Sequence, residues 1–263
     1  MSRKAKLAEQ IIYASKATKI AKVSRLGIVV SAVLTFLVFA ISYYGEVVGN
    51  FTFRVDRSSY EAGISLIRDP DTQQYTSILK AQKVDNADGM TAFCGTEYTA
   101  YPIGSSRCLP SDQEVASVYG SSNGDSYLAY TFQLANTGVR VVDLEAKINL
   151  VSTTKNADES IRVRLIVNGV GTTYAKVQSN HPNSETPGMP EMFTEPFTGQ
   201  YEVAKKIFSA FDLGETVTIS VLMWYEGEDV DHNDSIIGGG VKLEMVFNVT
   251  YIYEDDEMPA QTT

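Results

Sequence analysis

The feature that most constrains this chain is an alternation of apolar and polar residues after residue 46. In Ser126–Asn136 every second residue is apolar, and Glu215–Trp224 and Val241–Tyr253 repeat this pattern. Half-buried β-strands produce a period of two because successive side chains point to opposite faces of a sheet. The three segments are therefore predicted to be half-buried strands.

Further short segments carry strand signals, and turn residues such as Asn168-Gly169 and Gly238-Gly239-Gly240 lie between them. These further strands are predicted at Phe51–Val55, Thr76–Val84, Val139–Val151, Ile161–Val167 and Thr172–Val177. No stretch of this region shows a long helical period, so we expect an all-β domain, a two-sheet sandwich or jelly roll, over residues 46–253. The residues beyond a minimal sandwich are expected in a first insertion, about 86–125, and a second insertion, about 178–200.

A run without charged residues separates two regions of opposite charge. Residues 1–25 carry seven basic side chains and one acidic side chain, whereas the remainder is acidic and the whole chain has a net charge of −10. The run at residues 26–45 would span about 30 Å as a helix, which matches a bilayer core. The positive-inside rule then predicts a basic cytoplasmic segment at 1–25, a transmembrane signal-anchor at 26–45 and an extracellular domain at 46–253. An acidic disordered tail is expected at 254–263.

A cleaved leader is the alternative to a retained anchor. Ala40 and Ser42 are small residues at the spacing of a cleavage site. Cleavage near Ser42 would release the domain from the membrane.

Two cysteines flank part of the first insertion. Cys94 and Cys108 would be oxidised outside the cell, and a disulfide that closes a loop of this size stabilises a fold by about 3 kcal/mol. The sequence predicts that the two cysteines form a disulfide.

The densest polar cluster follows the predicted strand at Glu215–Trp224. Asp229, Asp231 and Asn233 form a D-x-D-x-N pattern, and alternate oxygen ligands of this kind suit Ca²⁺. The positions of Asp234 and Gly240 depart from an EF-hand loop, which requires glycine and glutamate there. Calcium binding and a solvated acidic hairpin are the two interpretations, and no other cofactor is expected.

Several classes of function lack support in the sequence. The acidic total disfavours nucleic acid as a partner. The chain has two histidines and does not contain the H-E-x-x-H motif of zinc peptidases. Acidic residues are abundant, so a pair of carboxylates for glycan hydrolysis is an open alternative, but no catalytic residue is assigned.

Several phrases resemble exported, membrane-anchored β-sandwich proteins of Gram-positive bacteria that are largely uncharacterised. The phrases are Gly49–Thr52, Tyr60–Leu66, Tyr127–Gly138, Ala157–Asn168 and Trp224–Gly239. This group is distantly similar to the TasA and camelysin family, and the resemblance implies a β-sandwich or jelly roll at the cell surface. The functions that this resemblance implies are those of the family, either a subunit of biofilm-matrix fibres or a surface protein labelled as a metallopeptidase.

Three functional hypotheses follow. The first is a single-pass cell-surface protein whose non-catalytic β-sandwich serves structure, adhesion or assembly, with other surface proteins, a second copy of itself or glycans as partners. The second is a released TasA-like filament subunit of a biofilm matrix. The third is a metal-dependent peptidase or glycan-active surface enzyme.

Overall fold

The computed structural model describes residues 30–35, 51–85, 87–178 and 188–254. The chain divides into two compact units, Met1–Val47 and Val48–Thr263. Residues 30–35 of the first unit are helical, and no helix in the described ranges is long and apolar enough to span a bilayer. The remainder of the predicted anchor, the cleavage site near Ser42, the segment 1–25 and residues 255–263 of the predicted tail lie outside the described residues.

The described part of the second unit is built mainly from strands. These strands are β1 (Phe51–Val55), β2 (Ile64–Ile67), β3 (Tyr75–Thr76), β4 (Ile78–Lys80), β5 (Gly120–Ser121), β6 (Tyr127–Asn136), β7 (Val142–Thr154), β8 (Ile161–Val167), β9 (Val170–Ala175), β10 (Glu195–Pro196), β11 (Glu202–Phe211), β12 (Thr216–Tyr225) and β13 (Gly240–Ile252). Two short helices, α1 (Arg57–Glu61) and α2 (Asp112–Ala116), and a 3₁₀ turn at Asp234–Ile236 complete the elements.

The strands form two sheets. The smaller sheet has the order β11-β7-β13-β1-β4, and the larger has the order β10-β9-β8-β12-β6-β2-β3 with β5 paired to β6. Neighbours are antiparallel except for the parallel pairs β1–β13 and β9–β10. The predicted all-β architecture of two sheets is therefore confirmed.

Aromatic side chains join the two sheets at the centre of the main core. The ring of Phe53, on β1, lies 4.7 Å from that of Phe132 and 5.0 Å from that of Tyr130, both on β6. Phe247, on β13, meets Phe132 edge-on at 6.0 Å. Apolar residues at alternate positions of both sheets surround these rings and are buried. The period of two in the sequence thus marks the residues that face this core.

The larger sheet is also buried on its outer face, the face directed away from the smaller sheet. Leu222 and Trp224 of β12 and Ala129 of β6 form a second cluster there with Met90 and Val115. Met90 and Val115 belong to the first insertion, which therefore covers part of this face. Because both faces of the larger sheet are covered, its central strands contain few exposed residues.

Two elements that the sequence pattern did not predict have identifiable physical reasons. Strand β11 lies at the edge of the smaller sheet and exposes three consecutive residues, Lys205, Lys206 and Ile207, so it lacks the alternation. Helix α2 has five residues, which is too short for a helical period. The predicted strand at Thr76–Val84 is confirmed only at Thr76, which ends β3, and over the three residues of β4.

Candidate binding site on the outer face of the larger sheet

Two arginines of β8 lie on the outer face of the larger sheet. Arg162 and Arg164 alternate with Ile161, Val163 and Leu165, which point into the main core. The period of two places both guanidinium groups on one side of the strand. They are opposite Trp224 and Leu222 in the register of β12.

Arg162 is a buried cation that holds two chain segments. Its side chain is 4% exposed, and its Nη2 atom lies 2.6 Å from Oδ2 of Asp229, which is 1% exposed. The same atom lies 3.4 Å from Oε2 of Glu191 in the second insertion. A buried charge is costly unless it is paired, so Arg162 requires these carboxylates close to it. The requirement fixes the loop after β12 and the end of the second insertion against β8.

Arg164 holds the first insertion in the same way. Its Nε and Nη2 atoms lie 2.6 and 2.7 Å from the two carboxylate oxygens of Asp112, and its Nη1 atom donates to Thr173 at 2.8 Å. A bidentate pair fixes orientation as well as distance. Gly171 permits this geometry, because a Cβ atom there would lie 2.5 Å from Oδ2 of Asp112.

Helix α2 presents Asp112 to Arg164 because its own start is well defined. Ser111 is the N-cap, and it forms a capping box with Glu114. The backbone N–H and hydroxyl of Ser111 donate to the Glu114 carboxylate at 2.8 and 2.7 Å, and these bonds lower the pKa of Glu114. Val115 then enters the outer-face cluster. The sequence carries the S-x-x-E signal of a capping box, which could have revealed this helix.

Glu226 is a second buried charged group beside the arginines. Its Oε2 atom accepts a hydrogen bond of 3.1 Å from the indole of Trp224, whereas its Oε1 atom is buried without a hydrogen-bond partner among the described residues. Burial raises the pKa of Glu226, and the Trp224 indole and the nearby Thr91 hydroxyl oppose this effect. An isolated bridge to Met90 fixes the backbone of Glu226.

A cavity of about 1140 Å³ lies over this face. Its wall includes Arg162 and Arg164 of β8, Trp224 of β12 and Glu226, which directly follows β12. The two insertions complete the wall with residues such as Phe93 and Phe193. Small-molecule sites are usually about 300–1,000 Å³, so the cavity has room for an extended ligand.

The predicted disulfide forms part of the cavity wall. Cys94 and Cys108 are bonded, with their Cα atoms 5.8 Å apart, and both line the cavity. Backbone bonds between Thr91 and Arg107 and between Gly95 and Tyr101 organise the same loop. The disulfide prediction is therefore confirmed, and the bond constrains one side of the cavity.

Three aromatic rings connect the two insertions at the cavity. The ring of Phe193 lies 5.6 Å from that of Phe93 and 5.3 Å from that of Tyr98. Phe193 is nevertheless 66% exposed, and its backbone has a φ of +56°. A left-handed conformation is unfavourable for a bulky residue and is concentrated at functional positions. The fold therefore holds an aromatic surface open to solvent.

Two of the predicted calcium ligands, Asp229 and Asn233, have different structural roles. Asp229 pairs with Arg162 through Oδ2 and accepts from the backbone N–H of Asp231 through Oδ1 at 2.8 Å. Asn233 caps the 3₁₀ turn by accepting from the N–H of Ser235 at 3.0 Å. No group of three or more His, Cys, Asp or Glu side chains suited to a metal ion occurs within the described ranges. Calcium binding at Asp229, Asp231 and Asn233 stays a prediction.

The carboxyl group of Glu191 titrates near neutral pH. Burial, followed by the nearby charge of Asp229, raises its pKa from 4.5 to about 7, although Arg162 opposes the shift. Asp231 and Glu226 raise it further. More carboxylates therefore surround Arg162 than its single positive charge can neutralise.

Sequence reasoning identified Asp229 for a different role and missed Arg162, Arg164, Glu191 and Glu226. A signal was present at β8, where arginines alternate with apolar residues in the sequence IRVRLIV. Such a strand normally exposes its polar face to water. Only the position of the insertions shows that this face is covered.

We predict that Asp229→Ala lowers the free energy of unfolding by about 3 kcal/mol, because it removes one partner of a buried ion pair. The loss should be equal with calcium and with a chelator in urea unfolding of the full chain. Asp234→Ala, in the exposed part of the same loop, should change stability by less than about 0.5 kcal/mol. A loss seen only with calcium would instead support the calcium prediction.

We also predict a pH effect from Glu191. Because its pKa is raised in the folded chain to about 7, its protonated form stabilises the fold fully below about pH 4.5, and that contribution is lost as the pH rises through 7. Between these values the native chain should lose stability relative to Glu191→Gln. Parallel pH profiles of unfolding for the two proteins would contradict this assignment.

Comparison with known proteins adds little to this geometry. No protein-family model and no curated protein matches the chain. A crystal structure of a selenomethionine-labelled β-glucosidase from Kluyveromyces marxianus is similar over 74% of this chain and 18% of that chain, with 10% identity and a TM-score of 0.24. The chain thus spans less than a fifth of that protein, and a likeness of this size carries no argument. The resemblance to the TasA and camelysin family stays a prediction.

Proposed function

We propose that the chain is a single-pass cell-surface protein whose β-sandwich binds glycans without catalysis and so serves adhesion. The apolar run at residues 26–45 and its basic flank support a membrane anchor. The Cys94–Cys108 disulfide supports an oxidising location outside the cell. The cavity on the outer face of the larger sheet is the binding site.

The observation that carries this proposal is an open cavity whose wall combines aromatic rings with polar groups. Sugar rings have apolar faces that pack on aromatic side chains, and Phe193 and Phe93 offer such surfaces. Sugar hydroxyls require fixed hydrogen-bond donors and acceptors in the protein. The ion pairs of Arg162 and Arg164 hold their guanidinium and carboxylate groups rigidly. A rigid site reduces the entropy lost on binding.

The edge of the smaller sheet favours adhesion over assembly by strand pairing. Strand β11 carries exposed Lys205 and Lys206 and has register shifts near both ends. Ala210, near its end, has a φ of +50°. Charged side chains and irregular edges prevent pairing with another chain. A filament subunit that added strands at β11 would have to overcome these features.

A glycan-active enzyme is the second candidate, because two carboxyl groups with raised pKa values lie around Arg162. Glu191, with a pKa of about 7, suits a general acid or base, and burial also raises the pKa of Glu226. If the protein is an enzyme, oligosaccharides should be cleaved, and Glu191→Gln or Glu226→Gln should abolish cleavage. Binding without product formation is the result that our proposal expects.

The test is a binding assay of the full-length chain against a panel of cell-wall oligosaccharides. Phe193→Ala should weaken binding by roughly 5- to 30-fold, because loss of an exposed stacking surface costs about 1–2 kcal/mol. Tyr201→Ala is the matched control, since Tyr201 is 63% exposed and does not line the cavity. Equal binding by the two variants, or no binding by the native chain, would contradict a glycan site in this cavity.

A further inference from the structure

The charged groups in the cavity wall are unequally paired. Its acidic residues are Asp112, Glu114 and Glu226, and its basic residues are Arg162 and Arg164. Both guanidinium groups are already engaged by carboxylates. The described wall therefore offers no unpaired cation for an anionic ligand, and its net field favours a positive one.

Glu226 is the buried carboxyl group of this wall that forms no ion pair with a described residue, although the charge of Arg162 acts on it from a longer distance. Glu114 is exposed to solvent and bonded to Ser111, whereas Glu226 is buried and bonded to the neutral indole of Trp224. Among the residues that the structure describes, the Oε1 atom of Glu226 has no hydrogen-bond partner, and this observation is separate from the charge balance. Buried acceptors of this kind are rare, because each one loses its bonds to water without replacement.

We propose that the cavity selects amine-bearing sugars and that Glu226 binds the ammonium group of the ligand. An ammonium donor would satisfy the vacant acceptor and compensate the buried charge at the same time. The aromatic rings of Phe93 and Phe193 in the same wall contribute further attraction for a cation. This inference rests on the proposed glycan-binding function and adds the chemical class of the ligand.

The experiment compares two probes that differ in one group. Calorimetry measures binding of the full-length chain to a glucosamine oligosaccharide and to its N-acetylated counterpart of equal length, at about pH 6, where an amine keeps its proton. We expect the glucosamine oligosaccharide to bind at least tenfold more tightly. Equal affinities would overturn the amine selectivity and leave glycan binding intact, whereas no binding of either probe would overturn both.

Variants then assign the selectivity to one residue. Glu226→Gln keeps the shape and an acceptor for Trp224 but removes the charge, so it should reduce the affinity for the glucosamine oligosaccharide to that for the acetylated one. Glu228→Gln makes the same change of charge two residues away, at an exposed position outside the cavity wall, and should keep the preference. Thermal unfolding of each variant verifies that it is folded. Selectivity that survives in folded Glu226→Gln would overturn the role of Glu226.

Discussion

Two guanidinium groups on the outer face of β8 must be neutralised, and the arrangement around the cavity depends on this requirement. A strand in the middle of a large sheet cannot move its side chains into water once insertions cover them. Arg162 and Arg164 therefore draw carboxylates from three different parts of the chain, Asp112, Glu191 and Asp229. Each contact fixes a segment that has little regular structure of its own.

The residues that hold the two sheets together differ from the residues that shape the cavity. The main core is a cluster of buried apolar residues that joins the two sheets through Phe53, Phe132 and Phe247. The outer-face cluster is smaller and lies next to ion pairs, the disulfide and the aromatic rings. Substitutions at the outer face should consequently alter ligand binding while the sandwich keeps its architecture.

The strands were predictable from sequence where one face meets the main core, as the agreement at Ile161–Val167 and Phe51–Val55 illustrates. Strand β11 was missed because edge position replaces alternation with exposed lysines. The candidate site was harder to predict, since its residues are separated by up to 135 positions, from Thr91 to Glu226. Asp229 belongs to a local D-x-D-x-N pattern that the sequence shows. Its partner Arg162 is 67 residues away, and no local spacing predicts that pair.

The most direct test of this account is amide hydrogen exchange of the full chain with Arg162→Met. Methionine keeps a long unbranched side chain at this position and removes the guanidinium group. The account predicts faster exchange at residues 188–194 and 226–235, which Arg162 holds, with unchanged protection of β1, β6 and β13. Unchanged exchange at both segments, or an equal loss of protection throughout the sandwich, would contradict the claim that this buried cation organises the outer face.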